Sequence, residues 1–432
     1  MAASKKKIGL VSLGCAKNLV DSENLLACFP KDEFEITLRP DEADLIVVNT
    51  CGFIDAAKKE AVETILEMGN YPAKLVVTGC LLYKDLDEIK KSLPEVDLFV
   101  PLSDYHHFGE LVGKLLEEPV KEIDPLKREL STALPFAYMK ISEGCSNYCA
   151  FCAIPYIRGP YRSRTMEELV EEGKILYEKG VRELALVSQD PMHYGVDLPN
   201  RPKMVDLLKE LTAIGFPSIR LLYLYPDEID DEFLLYVKDN PAIEKYFDIP
   251  IQSGSDEVLK KMNRKDTRES MRKLFARIRE LMPKAALRTT LIAGFSGETF
   301  QNHRETLSFI QEIGFDHLGV FPYSREEGTM GYALRPVIPH PERERRAKEI
   351  MESQRKISVG LLKKRVGETM DAYVLAGEKG KYSLRSYWNA PDDIDGKIFL
   401  DTDVELKRGD RVRVEIDSSF VYDLHAKLIA VL

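Results

Sequence analysis

Three cysteines fall within the segment Ser142-Glu-Gly-Cys145-Ser-Asn-Tyr-Cys149-Ala-Phe-Cys152, a C-x3-C-x2-C spacing directly after the strand-like run 137–142. Three thiolates on one strand-end loop can bind three irons of a cubane [4Fe–4S] cluster and leave the fourth iron open. An open iron can chelate the amino and carboxylate groups of S-adenosylmethionine and pass one electron to its sulfonium. Cleavage then yields a 5′-deoxyadenosyl radical, which takes hydrogen from an unactivated C–H bond. Phe151, just before the last cysteine, is placed to pack on the adenine. A zinc site would want four ligands in paired short spacings, and no fourth Cys or His lies nearby.

Three further cysteines each follow an apolar run and each sit beside glycine: Leu13-Gly14-Cys15, Thr50-Cys51-Gly52 and Gly79-Cys80. In an open parallel sheet the carboxyl ends of the strands line one edge, where such folds put their ligands. Cys15, Cys51 and Cys80 would meet there, either as ordinary buried thiols or as a second three-cysteine cluster site with an open iron. Cys28, in a helix-like run, reads as core.

Other features are less specific. Ala293-Gly294-Phe295-Ser296-Gly297-Glu298-Thr299 closes a strand and opens a helix. Gly294 and Gly297 would allow close backbone approach to a ligand, and Glu298 could accept hydrogen bonds from hydroxyl or ammonium groups. The same residues also suit a plain strand-to-helix turn, where a helix start favours a carboxylate. Arg158, Arg162 and Arg164 could hold a substrate carboxylate or meet the chain's own acidic surface. His106 and His107 read as surface. Trp388, Tyr382 and Tyr387 read as core of a small barrel, with a stacking platform as the alternative.

These residues need a scaffold, and the hydrophobic periodicity supplies one. Over the first hundred residues, strands at 8–13, 34–38, 45–49, 75–78 and 98–100 alternate with helices such as 55–68 and 84–92, the pattern of a doubly wound α/β sheet. A polar stretch, 119–134, reads as a linker. A second series has strands at 137–142, 183–188, 219–224, 247–251, 287–293 and 318–323, with helices at 166–179, 268–281 and 299–313. Six β/α units in a row predict a partial β/α barrel with its chemistry at the carboxyl ends of the strands. A charged helix over about 341–365 closes that region. Short alternating runs at 369–375, 381–386, 396–400, 411–416 and 424–431 predict a small antiparallel β-barrel. The expected division is 1–120, a linker at 121–134, 135–365 and 366–432.

Composition agrees with a globular chain of two or three domains: 432 residues, 44% hydrophobic and 31% charged. A net charge of −10 disfavours non-specific coating of nucleic acid. Seven cysteines, an odd number, without a visible leader after the basic start 1–7 argue against a disulfide framework. No membrane association is expected, and a cytoplasmic location is.

The 145–152 triplet and the glycine-containing 293–299 stretch resemble the radical SAM superfamily. With Cys15, Cys51 and Cys80 added, essentially the whole chain resembles its methylthiotransferase family, which inserts a methylthio group into a C–H bond. That resemblance implies two [4Fe–4S] clusters, at Cys15/Cys51/Cys80 and Cys145/Cys149/Cys152, and two roles for S-adenosylmethionine, as methyl donor and as radical source. It implies contacts to S-adenosylmethionine from Phe151, Gly294, Gly297 and Glu298, a TRAM-like carboxy-terminal domain that recognises substrate, a reduced electron donor such as flavodoxin or ferredoxin, and a sulfur donor. Leu318-Gly-Val-Phe321 leading into Tyr323-Ser-Arg-Glu-Glu-Gly-Thr329, together with Arg158–Arg164 and Val187-Ser-Gln-Asp190, is similar to the RimO branch. Its substrate is an aspartate β-carbon in small-subunit ribosomal protein S twelve. One departure is Ser253, where many members of that branch have histidine; the Ser253-Gly-Ser255 form is similar to the transfer-RNA adenosine branch, the alternative substrate class. Residues 368–432 carry nine Lys and Arg against thirteen Asp and Glu, an acidic module better suited to a basic protein than to RNA.

Overall fold

The computed structural model describes residues 5–378, 380–391 and 394–432; the first four residues of the basic start lie outside them. Five strands, β1 (Lys6–Ser12), β2 (Phe34–Ile36), β3 (Leu45–Thr50), β4 (Lys74–Gly79) and β5 (Leu98–Val100), form one parallel sheet in the order β2-β1-β3-β4-β5. The β3 run Leu-Ile-Val-Val is buried on both faces, as a doubly wound sheet requires. Leu45 and Val47 join a core with Leu25, Phe108 and Val112, while Ile46 and Val48 face Ala61 and Ile65. Helix α1 (Ala16–Leu26) lies on the first face and α2 (Asp55–Met68) on the second. The sheet reverses direction of growth at β1 and β3, the crevice where doubly wound folds place ligands.

No helix or strand lies between Leu116 and Phe136, yet this stretch is packed rather than loose. Arg128, 4% exposed, joins Glu23 of α1 to Glu172 and also donates to the Tyr138 carbonyl at 2.6 Å. Leaving two buried carboxylates without that cation would be costly.

The central region has the expected six parallel strands: β6 (Phe136–Lys140), then β9 (Glu183–Val187), β10 (Ser218–Leu221), β11 (Tyr246–Asp248), β12 (Ala286–Ala293) and β13 (His317–Pro322). They pair as two triplets, β10-β9-β6 and β11-β12-β13, linked by a parallel bridge between Ile219 and Ile243. Between β6 and β9 a short antiparallel ribbon, β7 (Ser142–Glu143) with β8 (Arg162–Ser163), brackets the cysteine loop. A helix at His340–Arg365 runs across β12 and β13.

The last five strands, β14 (Thr369–Glu378), β15 (Lys381–Ser386), β16 (Ile398–Asp401), β17 (Arg411–Ser419) and β18 (Leu424–Val431), close into a barrel. It is not wholly antiparallel: β16 and β18 pair in parallel. The barrel sits against the amino ends of the central strands. Arg385 pairs with Glu183 at 2.6 Å, Tyr246 donates to Asp395 at 2.6 Å, and the Trp388 carbonyl meets His317 at 2.7 Å. Trp388 and Tyr382 are buried, so they serve as core. His106 and His107 are exposed, as expected.

Candidate active site

Cys15, Cys51 and Cys80 directly follow β1, β3 and β4, three adjacent strands, so one sheet edge gathers all three thiols. They come close enough to influence one another electrostatically. Gly14 is what lets the first two meet: its φ is +89°, and a Cβ there would lie 2.8 Å from the Cys51 Cβ. Thr50 Oγ1 donates to the Thr78 carbonyl at 2.6 Å and Thr78 Oγ1 to the Val100 carbonyl at 2.6 Å, which fixes the strand ends. Cys28 is apart, 1% exposed in the core, where burial pushes its thiol up to about 12.

Cys145, Cys149 and Cys152 form the second group, on the loop after β6. The loop is clamped: the Ala150 amide donates to the Met262 carbonyl at 2.8 Å, and the Gly331 amide donates to the Ala150 carbonyl at 2.6 Å. Phe151 packs against a small apolar cluster of Ala150, Val258, Met262, Phe295 and Tyr323. The cysteine loop and the 293–298 turn therefore share one support.

All seven cysteines are free thiols. In both groups main-chain N–H groups point at sulfur: those of Lys17 and Asn18 at Cys15, Gly52 and Phe53 at Cys51, Asn147 at Cys145, and Ile154 at Cys152. Such bonds favour thiolate, the form that ligates metal. Burial raises Cys51, and raises Cys80 and Cys145 to about 11. Cys15 differs. Burial opposes its ionisation too, but the charges of Lys17 and Arg158 and the amides of its helix start bring it below the ordinary thiol value. Free thiols with aimed amides suit iron–sulfur ligation in both groups.

The two groups lie near one another, Cys80 packing with Ala153 and Ile157 just past Cys152. Lys17, two residues past Cys15, lies near enough to Cys152 to bear on its charge, and Tyr223 from the end of β10 lies near Cys15. Arg158, in the loop after Cys152, crosses to the amino-terminal domain. It donates to Asp21 at 2.9 Å, to Asn18 Oδ1 at 3.1 Å and to Glu143 at 3.0 Å, and its charge reaches Cys80 and Cys15. Lys140 bonds the same Asp21 and Glu143. Arg164 pairs with Glu172. For Arg158 and Arg164 the partners are thus the chain's own carboxylates, whereas Arg162 is exposed.

The 294–298 turn holds itself together. Gly294 has φ +73°, and the Glu298 carboxylate accepts from the Gly294 amide at 2.5 Å and the Phe295 amide at 3.1 Å, with Arg346 3.4 Å away. Gly297 (φ +79°) lies against Lys261, which donates to its carbonyl at 2.8 Å.

Two contributors had no role assigned from the sequence, although Asp190 closes the Val187–Asp190 run. Asp190, 1% exposed, accepts from Asn147 of the cysteine loop at 2.5 Å, and burial followed by the Glu228 charge lifts its carboxyl to about 7. Tyr225 Oη lies 2.9 Å from Cys149 Sγ beneath the Arg264 guanidinium. Both sit just past strand ends, and that position in the β/α series was the available signal.

Comparison with known proteins places this geometry. The Radical SAM superfamily matches residues 139–310, the uncharacterized protein family UPF0004 residues 7–101, and the TRAM domain residues 366–429. Ribosomal protein uS12 methylthiotransferase RimO of Acetivibrio thermocellus is 44% identical, covering 98% of this chain and 99% of its own. The chain belongs to the RimO family. The Geobacter sulfurreducens RimO is 42% identical over the whole of both chains. RimO membership makes this chain a radical SAM methylthiotransferase and implies a [4Fe–4S] cluster with S-adenosylmethionine. In fold alone it is similar to a solved radical S-adenosylmethionine methyltransferase, TsrM from Kitasatospora setae, at a TM-score of 0.55 and 13% identity over 88% of this chain and 78% of that one.

Proposed function

We propose that this RimO-family chain methylthiolates the β-carbon of an aspartate in ribosomal protein uS12, with one [4Fe–4S] cluster on Cys145, Cys149 and Cys152 and a second on Cys15, Cys51 and Cys80. The observation that carries the reading is the nearness of the two three-thiol groups, Cys80 packing with Ala153 and Ile157 just past Cys152. When bound, the cofactors supply a 5′-deoxyadenosyl radical from one side and methylated sulfur from the other. The protein's task is to bring one carbon to both. A hydrogen beside a charged carboxylate offers little acidity, so a side-chain base is the wrong tool, and none is needed.

The chain's residues divide that work. Arg158, held by Asp21 and Glu143, fixes α1 against the radical loop and so sets the spacing of the two groups. The Phe151 ring and the backbone of Gly294 and Gly297 are proposed to shape the S-adenosylmethionine site, with Glu298 stiffening that turn from inside. A reduced flavodoxin or ferredoxin and a sulfur donor would complete the cycle in the cytoplasm. No described helix is long and apolar enough to cross a membrane. The acidic terminal barrel suits a basic protein partner.

The test is a deletion strain with and without this gene. Intact-protein mass spectrometry should find uS12 lighter in the deletion by one methylthio-for-hydrogen exchange, and restored on complementation. Transfer-RNA nucleosides that change while uS12 does not would assign the chain to the adenosine branch instead.

A further inference from the structure

Buried cations near the two thiol groups are nearly all matched by the chain itself. Among the described residues, Lys140 and Arg158 share Asp21 and Glu143, Arg264 faces Asp266 at 2.9 Å, and Arg288 faces Asp248 at 2.8 Å. Lys17 is the exception. Its side chain is 9% exposed, and its ammonium stands 3.8 Å from the centre of the Tyr223 ring. Asp248, the nearest carboxylate to that ring, is occupied: one oxygen takes Arg288 and the other takes the Tyr223 amide at 3.0 Å. A ring face attracts a cation but does not replace a carboxylate. With no carboxylate partner among the described residues, the Lys17 ammonium has donors free for an incoming anion.

Tyr223 adds a second, independent sign. It is a non-glycine residue at φ +66°, and such backbone strain persists where the surroundings demand it and gathers at ligand sites. The strain turns the ring at the end of β10 under Lys17 and toward Cys15.

We infer that Lys17, seated on Tyr223 between the two three-cysteine groups, binds the carboxylate of the substrate aspartate. The inference rests on the uS12 reading above and deepens it. An aspartate β-carbon is one bond from its carboxylate carbon. Anchoring the carboxylate on a cation whose charge reaches both Cys15 and Cys152 would hold that carbon where radical and sulfur can each reach it. Lys17 is thus a substrate-binding residue that selects Asp over Asn, because a charged carboxylate gains more from the buried ammonium than a neutral amide does.

The experiment is anaerobic binding of purified uS12, and of uS12 with its target Asp→Asn, to the reconstituted full-length enzyme. The wild-type enzyme should prefer the aspartate form by about tenfold to a hundredfold, the scale of a charge-assisted bond in a buried site. Lys17→Met should bring the two affinities together, and Lys17→Arg should keep a preference for aspartate. Iron content is measured on each protein. A Lys17→Met enzyme that still prefers aspartate overturns the inference. So does one that loses half its iron, since the ammonium would then serve the amino-terminal cluster. Wild-type enzyme that binds neither form of uS12 counts against the substrate reading itself, a separate result.

Discussion

At the scale of single residues, two three-cysteine groups define the candidate site, one on a loop and one along a sheet edge. Cys145, Cys149 and Cys152 are local in sequence, while Cys15, Cys51 and Cys80 needed only the topology of a parallel sheet to converge. If each group holds its own cluster, Cys15→Ala/Cys51→Ala/Cys80→Ala protein should retain about half the iron and sulfide of the wild type. Iron content unchanged from wild type would mean that the amino-terminal edge carries no cluster. What the sequence hid was the assignment of charges. Arg158 meets Asp21 and Asn18, and Lys17 meets Tyr223, across the boundary between two domains. No periodicity relates residues that far apart. The bond of one Glu298 carboxylate oxygen to the Gly294 and Phe295 amides was hidden likewise.

At the scale of elements, alternation located every longer strand, while helices such as Ala16–Leu26, Met204–Ile214 and Asp231–Asp239 were not singled out. The helices Asp55–Met68 and Arg268–Leu281 and the strand Lys381–Ser386 have the bounds expected from sequence. Pairing direction was less accessible: β16 and β18 run parallel, and nothing in either strand's alternation encodes a partner. The joins between elements were hidden too. Asp316, 6% exposed just before β13, accepts from Arg279 at 2.8 Å and from Arg365, the last residue of the long helix, at 2.6 Å. Burial raises its carboxyl, but Arg365 and Arg279 outweigh this and hold it below the usual carboxylate range. A carboxyl depressed on folding contributes stability above its unfolded value, about 3.9, and loses it as pH falls through the lower folded value. Asp316→Asn takes this carboxylate from the buried Arg365 and the half-buried Arg279, and should cost about 2–3 kcal/mol at pH 7. Urea unfolding at pH 7 and pH 3 checks both points: the variant should be weaker at pH 7, and its deficit should shrink in acid. A deficit that is equal at both values would mean the carboxylate charge is not what matters.

For the whole molecule, the decisive relation is between the two ends of the central strands. The small barrel docks at their amino ends through Arg385, Trp388 and Asp395, while the Cys145–Cys152 loop lies past the carboxyl end of β6, the strands between running three to eight residues, roughly 10–25 Å. The acidic barrel can therefore meet a substrate's outer surface but does not itself line the thiols. Alignment of the two groups falls instead to the amino-terminal domain, which is held on opposite flanks. On one side Arg128, Lys140 and Arg158 grip α1. On the other, the buried Glu326 carboxylate accepts from the Asp55 amide at 3.0 Å and pairs with Lys58 of α2. Glu326 belongs to the Tyr323–Thr329 run that marked the RimO resemblance, so at least part of that signature is a clamp between domains. Glu326 lies away from the thiols on the contacts described, and its removal should loosen the clamp without touching a ligand. Misplacement of about 1 Å at a reacting centre can cost on the order of a hundredfold. Glu326→Ala should consequently raise the 5′-deoxyadenosine formed per methylthiolated product on the order of tenfold or more, because radicals would form with the target carbon out of register with the sulfur. Chromatographic quantification of both products from one reaction reads that ratio directly. An unchanged ratio, with both products falling together, would mean that the α2 clamp stabilises the fold and leaves the alignment of the two groups to α1.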